Sequence, residues 1–277
     1  MITYPNVKLN LGLNVLRKRP DGFHDLETVF VPYPAIHDVL EIVTGEDYSR
    51  TLAGLQQRYG ALAQAISPDG KLMVSIARDG GIDWDPLQDL TAKVYFLLAQ
   101  DYALPPMKIF LEKRSPVGAG LGGGSADAAF ALRMMASLGG LPLEGPQLAS
   151  YAARLGSDCA FFLYNRPMFG SGRGEVLEPL DLDLSPWEFR VYIPEGVSVS
   201  TADAYRGIVP RLPAKPLRSV LAQPVETWKE ELKNDFEETV FAKYPSLAPI
   251  KEMLYNQGAV YAAMSGSGSA FFQIFKK

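Results

Sequence analysis

The sequence predicts an α+β protein. Three observations lead there: strands whose apolar and polar residues alternate as in antiparallel sheets, helical segments that stand apart from those strands, and a weak boundary near residue 155 with no long linker. At 277 residues with 47% hydrophobic content, the chain has ample material for a core in one large domain or two ordinary ones.

Taken in order, Val7, Leu9, Leu11 and Leu13 alternate with Asn6, Lys8, Asn10 and Gly12, so a strand with one buried face opens the chain and sends Lys8 and Asn10 the same way. A turn-rich stretch, RPDGFHDLET, follows. Thr28–Pro34 and Asp38–Val43 read as short strands, the first limited by Pro32 and Pro34. Leu52–Ile66 suggests a short helix and Lys71–Ala77 an extended segment. From Pro86 to Tyr102, Leu87, Leu90, Val94, Leu97 and Leu98 recur at helical spacing. Met107, Ile109 and Leu111 then mark a strand that leads into a glycine loop.

Ser125–Leu138 is apolar on nearly every side and is stopped by Gly139, which predicts a centrally buried helix. A helix from Pro146 to Leu155 ends at Gly156, and the apolar run Cys159–Tyr164 reads as a buried strand. Phe189–Ile193 is a strand, and Pro210–Pro224 is a proline-rich surface connection. Glu226–Ala242 and Ala248–Gln257 read as helices. Val260–Ala263 and Ala270–Phe275 read as strands flanking SGSGS. There is no internal repeat or low-complexity tract.

Composition removes several classes of function. A net charge of −4 gives no general attraction for nucleic acid or an anionic membrane, so any bound anion needs a local site. The single cysteine, Cys159, excludes an internal disulfide and suits a reducing compartment such as the cytoplasm. It also excludes a cysteine-cluster metal site, and the two histidines, His24 and His37, leave little for a zinc centre. The first twenty residues alternate apolar with polar, unlike a signal peptide, and no apolar run reaches the length of a membrane span.

Residues 116–128, PVGAGLGGGSADA, place glycine at five of the seven positions from Gly118 to Gly124, between a strand and a buried helix. The N–H groups at a helix start lack intrahelical partners and carry the positive end of its dipole, and bare glycines let the backbone close around phosphate oxygens. The loop therefore reads as a phosphate cradle. It lacks the lysine of a P-loop. Gly118, Gly120 and Gly123 satisfy GxGxxG with Glu144 downstream, but Glu144 lies in a turn that leaves no room for the second strand of a dinucleotide-binding unit. A structural glycine hairpin is the plain alternative. The SGSGS cluster, Ser265–Ser269, is weak alone, and paired with the first loop it suggests two loops facing one ligand.

Asp158, in LGSDCAFF, stands at a helix end beside an apolar run, where a carboxylate is either paired or functional. A lysine and an aspartate beside a phosphate cradle suit phosphoryl transfer to an alcohol, the aspartate accepting the hydroxyl proton and the lysine steadying charge. Phe23 and His24 follow a turn that would expose a ring and an imidazole, either to stack on and bond a flat ligand or to close the core edge. Cys159 reads as a small buried apolar residue.

In these pieces the sequence resembles the GHMP kinases, a superfamily with galactose, homoserine, mevalonate and phosphomevalonate members. The resemblance is carried by NVKLNLGLNVLRKRPDGFH, LEKRSPVGAGLGGGSADAA, LGSDCAFF, GVSVSTADAY and AAMSGSGSAFF, in the family's order along nearly the whole chain. It implies the two-domain GHMP kinase fold, an N-terminal ATP-binding domain over 1–155 and a C-terminal domain over 156–277, with the active site in the cleft between them. It implies Lys8 and Asp158 as the catalytic pair, Asp158 being the base. Pro116, Val117, Gly118, Ala119, Gly120, Leu121, Gly122, Gly123, Gly124, Ser125 and Ala126 would form the ATP loop, with Mg²⁺ held mainly through the phosphates. Asn10, Phe23, His24, Thr201, Tyr205, Gly266 and Ser267 would bind a cytidine-diphosphate-linked alcohol.

The expected protein is thus a cytoplasmic small-molecule kinase, monomer or homodimer, with no nucleic-acid or membrane partner. Another GHMP kinase acting on mevalonate, homoserine or a sugar alcohol, and a nucleotide-binding module without turnover, are the alternatives. Three positions depart from the family pattern: Phe23 replaces a usual tyrosine, Ala126 a common second serine, and Asp89 a frequent asparagine.

Overall fold

The computed structural model describes residues 1–277. Its strands are β1 (Ile2–Thr3), β2 (Asn6–Lys18), β3 (His24–His37), β4 (Val39–Thr44), β5 (Ala63–Ile66), β6 (Leu72–Ala77), β7 (Met107–Glu112), β8 (Met168–Ser171), β9 (Val176–Pro179), β10 (Trp187–Tyr192), β11 (Tyr261–Met264) and β12 (Phe271–Lys276). The helices are α1 (Leu52–Tyr59), α2 (Leu90–Ala99), α3 (Gly123–Leu138), α4 (Gly145–Leu155), α5 (Cys159–Tyr164), α6 (Thr201–Tyr205), α7 (Leu217–Leu221), α8 (Trp228–Glu231), α9 (Phe236–Lys243) and α10 (Ala248–Asn256). None is long and apolar enough to cross a membrane.

The chain forms two compact units. The first comprises Met1–Val7, Tyr33–Val117 and Gly122–Tyr164, and the second Lys8–Pro32, Gly118–Leu121 and Asn165–Lys277. A single boundary near residue 155 is therefore too simple. The β2–β3 hairpin enters the second unit because β3 pairs with β8, with Thr28 opposite Gly170 and Phe30 opposite Met168.

In the first unit the sheet order is β1-β4-β7-β6-β5, with β6 and β7 parallel and the other neighbours antiparallel. A parallel pair needs a crossover, and α2 supplies it. Alternation along the strands sends Leu72, Val74, Ile76, Ile109 and Leu111 to one face, all buried. On the other face α1 lays Leu55 against Val43, Ala77 and Phe110. Helices α2, α4 and α5 pack around α3, whose burial on almost every side follows from its composition.

In the second unit β2-β3-β8-β9 form one sheet and β10-β12-β11 another. Phe236 and Val240 of α9, Leu254 of α10, and Ala262, Met264 and Phe271 of β11 and β12 share a core with Leu13 and Val15 of β2. Burying one Phe or Leu side chain in such a core contributes about 1.5–3 kcal/mol.

Six elements differ from the sequence reading. β3 runs from His24 to His37 through Pro32 and Pro34 and is not limited by them. The surface connection expected over 210–224 contains α7, whose Leu217, Val220 and Leu221 are buried. The helix expected over 52–66 stops at Tyr59, where Gly60 takes φ 71°, and 63–66 pairs with β6 as a strand. The 86–102 helix starts only at Leu90, because Asp89 caps it, its carboxylate accepting from Thr91 N at 2.9 Å. Cys159–Tyr164 is a helix, not a strand: its unbroken apolar run carries no period, and a helix buried all round satisfies it as well as a strand. The 226–242 helix is broken because Leu13 N donates to Lys233 O at 2.9 Å and Asp235 N to Leu13 O at 2.8 Å, tying 233–235 to β2.

Candidate phosphate-loop and substrate sites

In the first unit the glycine loop is anchored by a buried ionic cluster. Lys113, just past β7, donates its ammonium to Asp38 Oδ2 at 2.5 Å, Asp127 Oδ2 at 2.6 Å and Ser115 Oγ at 2.9 Å. Asp38 accepts in addition from the backbone of Arg114 at 2.7 Å and Ser115 at 2.6 Å, and from Ser115 Oγ at 2.7 Å. Burial opposes its charge, yet Lys113 and these donors outweigh it and hold the Asp38 carboxyl below its ordinary value. Burial likewise opposes the Lys113 charge, and the two carboxylates overcome it and raise its pKa. Asp127 is less well served. Its Oδ1 is buried without a partner, and burial pushes its carboxyl well above the usual range despite Lys113.

This cluster joins the end of β7 to the first turns of α3, the two stems of the loop. A Cβ on Gly123 would overlap Ser115 Oγ and stand 3.1 Å from Lys113 Nζ, so glycine is required for the closeness of the stems. The N–H groups of Gly123, Gly124 and Ser125 open α3 and are the anion-ready donors expected there. Ala126 is fully buried and offers only its backbone. Val117 is exposed. Ser125 hydrogen-bonds Cys159, whose thiol is pushed up to about 12 by burial and further by the charge of Asp158. Cys159 is therefore inert. Asp158 itself is half-buried in the turn that opens α5.

In the second unit Lys8, Asn10, Gly120, Ser265 and Gly266 converge. Lys8 is buried, donates to Gly120 O at 3.0 Å and to Asn10 Oδ1, and lies 5.6 Å from the Phe30 ring centroid. Asn10 N donates to Ser265 Oγ at 3.2 Å, and Asn10 Nδ2 to Thr28 Oγ1 at 3.0 Å. Gly120 takes φ 76°, and a Cβ there would overlap the Ser265 carbonyl oxygen. The two glycine loops therefore meet through Gly118–Leu121 and Ser265–Ser269, with Ala270 N donating to Ala119 O at 3.1 Å. Ala119 and Leu121 are buried and contribute packing.

The remaining expected substrate residues lie in the same unit. His24 stacks on Tyr205 with ring centroids 4.9 Å apart, and Thr201 Oγ1 lies 3.4 Å from Ser267 Oγ. Burial, reinforced by the Lys18 charge, holds the His24 imidazole below its ordinary value. It is neutral at pH 7 and can both donate and accept. Phe23 sits at the tip of the β2–β3 hairpin with 53% of its surface exposed.

Sequence reading missed Asp38, Lys113 and Asp127, which nothing in their spacing relates, although Lys113 and Asp127 flank the glycine loop. It also missed Asn234, whose Nδ2 donates at 2.8 Å to the carbonyls of both Met264 and Gly266. Asn234 stands between Lys233 and Asp235 in a charged stretch, where one more polar residue carries no signal.

A family model of the GHMP kinases N terminal domain matches residues 89–166, and one of the GHMP kinases C terminal matches residues 217–277. The chain belongs to the GHMP kinase family, whose members are ATP-dependent phosphotransferases. Two relatives carry the same, more particular name. The 4-diphosphocytidyl-2-C-methyl-D-erythritol kinase of Bacteroides fragilis is 45% identical over 276 residues, 99% of this chain and 92% of the relative. That of Azobacteroides pseudotrichonymphae is 40% identical over 278 residues, covering 100% of this chain and 94% of the relative. A crystal structure of 4-(cytidine 5'-diphospho)-2C-methyl-D-erythritol kinase matches with TM-score 0.72 and 30% identity, covering 99% of this chain and 89% of the other. The Methanococcus jannaschii mevalonate kinase, at TM-score 0.59 and 11% identity over 100% of this chain and 90% of its own, shares the fold alone.

Proposed function

We propose that this protein transfers the γ-phosphoryl of ATP to the C2 hydroxyl of 4-diphosphocytidyl-2-C-methyl-D-erythritol, giving the 2-phosphate and ADP for isoprenoid precursor synthesis. The observation that carries the reading is the buried Lys8 ammonium, fixed by Asn10 and the Gly120 carbonyl where the two glycine loops meet. Named relatives at 40–45% identity over nearly the whole chain support the substrate.

In the proposed step the substrate hydroxyl oxygen attacks the γ-phosphorus and a new P–O bond forms. The bond from the γ-phosphorus to the bridging oxygen breaks, and ADP leaves. Asp158 accepts the hydroxyl proton, while Lys8 orients the hydroxyl and steadies the charge that develops on the transferring group. The α3 N-terminus and the glycine loop hold the phosphates. Phe23, His24 and Tyr205 take the cytidine end, the neutral imidazole offering a donor and an acceptor to its base.

No cluster of three or more His, Cys, Asp or Glu side chains forms a metal cage. The hard hydroxyl oxygen of Ser125, in the first turn of α3, fits a Mg²⁺ ion that takes most of its ligands from phosphates and water. Such an ion would neutralise phosphate charge.

Asp158→Asn tests the assignment of the base. Turnover should fall roughly 10²–10⁴-fold while ATP affinity, measured by calorimetry, is unchanged. Near-normal turnover would remove Asp158 from the mechanism. ADP release with the cytidine-linked alcohol, and not with the same alcohol lacking its nucleotide, tests the substrate.

A further inference from the structure

The ring of Phe23 is not simply left in solvent. Its turn is fixed from within: Phe23 N donates to Asp21 Oδ1 at 3.1 Å, Arg19 N donates to Phe23 O at 2.7 Å, and the Arg19 guanidinium bonds Asp21 at 3.0 Å and Asp25 at 3.0 Å. A second turn, between β8 and β9, brings Arg173 to it, with the guanidinium carbon 4.8 Å from the ring centroid. That turn is tied to β3 by Leu26 N donating to Gly172 O at 2.7 Å, and Arg173 is held by its backbone N–H on Glu175 Oε2 at 2.5 Å. Its Nε lies 3.5 Å from Glu175 Oε1.

One face of the ring is thus taken by a cation, while Phe23 as a whole keeps 53% of its surface exposed and available to a ligand. A guanidinium over one face of a phenyl ring draws on its π density, which favours an uncharged, electron-rich heterocycle on the opposite face.

We propose that Arg173 is a positioning residue for substrate recognition: it backs Phe23 and sets that ring's free face for the pyrimidine of the cytidine-linked alcohol. This rests on the reading that Phe23 lines the substrate site. Arg173 takes no part in phosphoryl transfer, so its removal weakens one substrate without slowing the chemistry.

The test is steady-state kinetics of R173M, R173K and F23A, varying 4-diphosphocytidyl-2-C-methyl-D-erythritol and ATP separately. R173M should raise KM for the cytidine compound roughly two- to fivefold, with kcat and KM for ATP unchanged. R173K, which keeps a cation over the ring, should recover most of the loss, and F23A should raise the same KM further. If F23A raises that KM and R173M does not, the role of Arg173 is overturned and the substrate-site reading stands. If F23A leaves it at the wild-type value, the reading of Phe23 itself fails. An R173M variant that loses kcat and ATP affinity together, without rescue by R173K, would show Arg173 to be merely structural.

Discussion

Lys113 donates to Asp127 at 2.6 Å while Asp127 Oδ1, in the same buried carboxylate, receives nothing. Two carboxylates therefore share one ammonium beneath the glycine loop, and Asp38 takes the better part of it.

Replacing Lys113 with Met should be severe, because it leaves Asp38 and Asp127 buried together without a counter-charge. The expected loss is about 3–5 kcal/mol. Urea denaturation at pH 7 measures it.

Asp127 gives the protein a pH dependence of definite sign. Its carboxyl is raised in the folded state, so between the ordinary carboxylate range and that raised value the folded protein holds a proton that the unfolded chain has released. Its contribution to stability therefore falls as pH rises through that window. Asp38, whose carboxyl is lowered, acts in the opposite sense and loses its contribution as pH falls. Lys113 faces both, and Asp89 adds a raising charge at Asp127. Asp127→Asn abolishes the first effect, so the stability of the variant relative to wild type should climb as pH rises above the ordinary carboxylate range. Paired urea titrations at several pH values check it, and a flat difference would falsify the assignment.

Gly120→Ala places a Cβ on the Ser265 carbonyl at a backbone conformation that alanine resists. A loss of about 1–3 kcal/mol is expected from strain. Displacing the loop should cost turnover on the order of 10²-fold. Thermal melting and ADP release report the two separately.

Asn234→Asp keeps the acceptor that receives Phe236 N at 3.0 Å but removes both donors to Met264 and Gly266. Two buried carbonyls are left facing an acceptor, at a cost of about 1–3 kcal/mol. Turnover should fall with it, since Gly266 borders the Lys8 ammonium. Comparing kcat/KM with the melting temperature shows whether loop position is lost before the fold.

The strands that lead into the two glycine loops and the buried helix after the first were legible, because alternation, helical spacing and glycine are local signals. Alternation also placed Lys8 and Asn10 on one side of β2, where the Lys8 ammonium meets Asn10 Oδ1, while their roles came from the family resemblance. What escaped was decided by distant partners. Glu226–Ala242 has the composition of one helix, and only β2, far earlier in the chain, makes 233–235 a better partner for a strand than for a helical turn. Cys159–Tyr164 has no period to read, and its state follows from packing against α3 and α4. Lys113, Asp38 and Asp127 are ordinary charges in sequence. They become a cluster only when the end of β7, the start of β4 and the first turns of α3 are brought together.

The pairing of β3 with β8 has a consequence for how the protein is made. With Thr28 opposite Gly170, the free edge of β3 leaves the ribosome long before the strand that covers it. At ordinary rates of synthesis the interval is on the order of ten seconds, ample for an exposed strand to find another nascent chain. Throughout that interval the N-terminal hairpin depends on what shields its edge, and its aggregation during synthesis is set by a residue spacing that the finished protein no longer reveals.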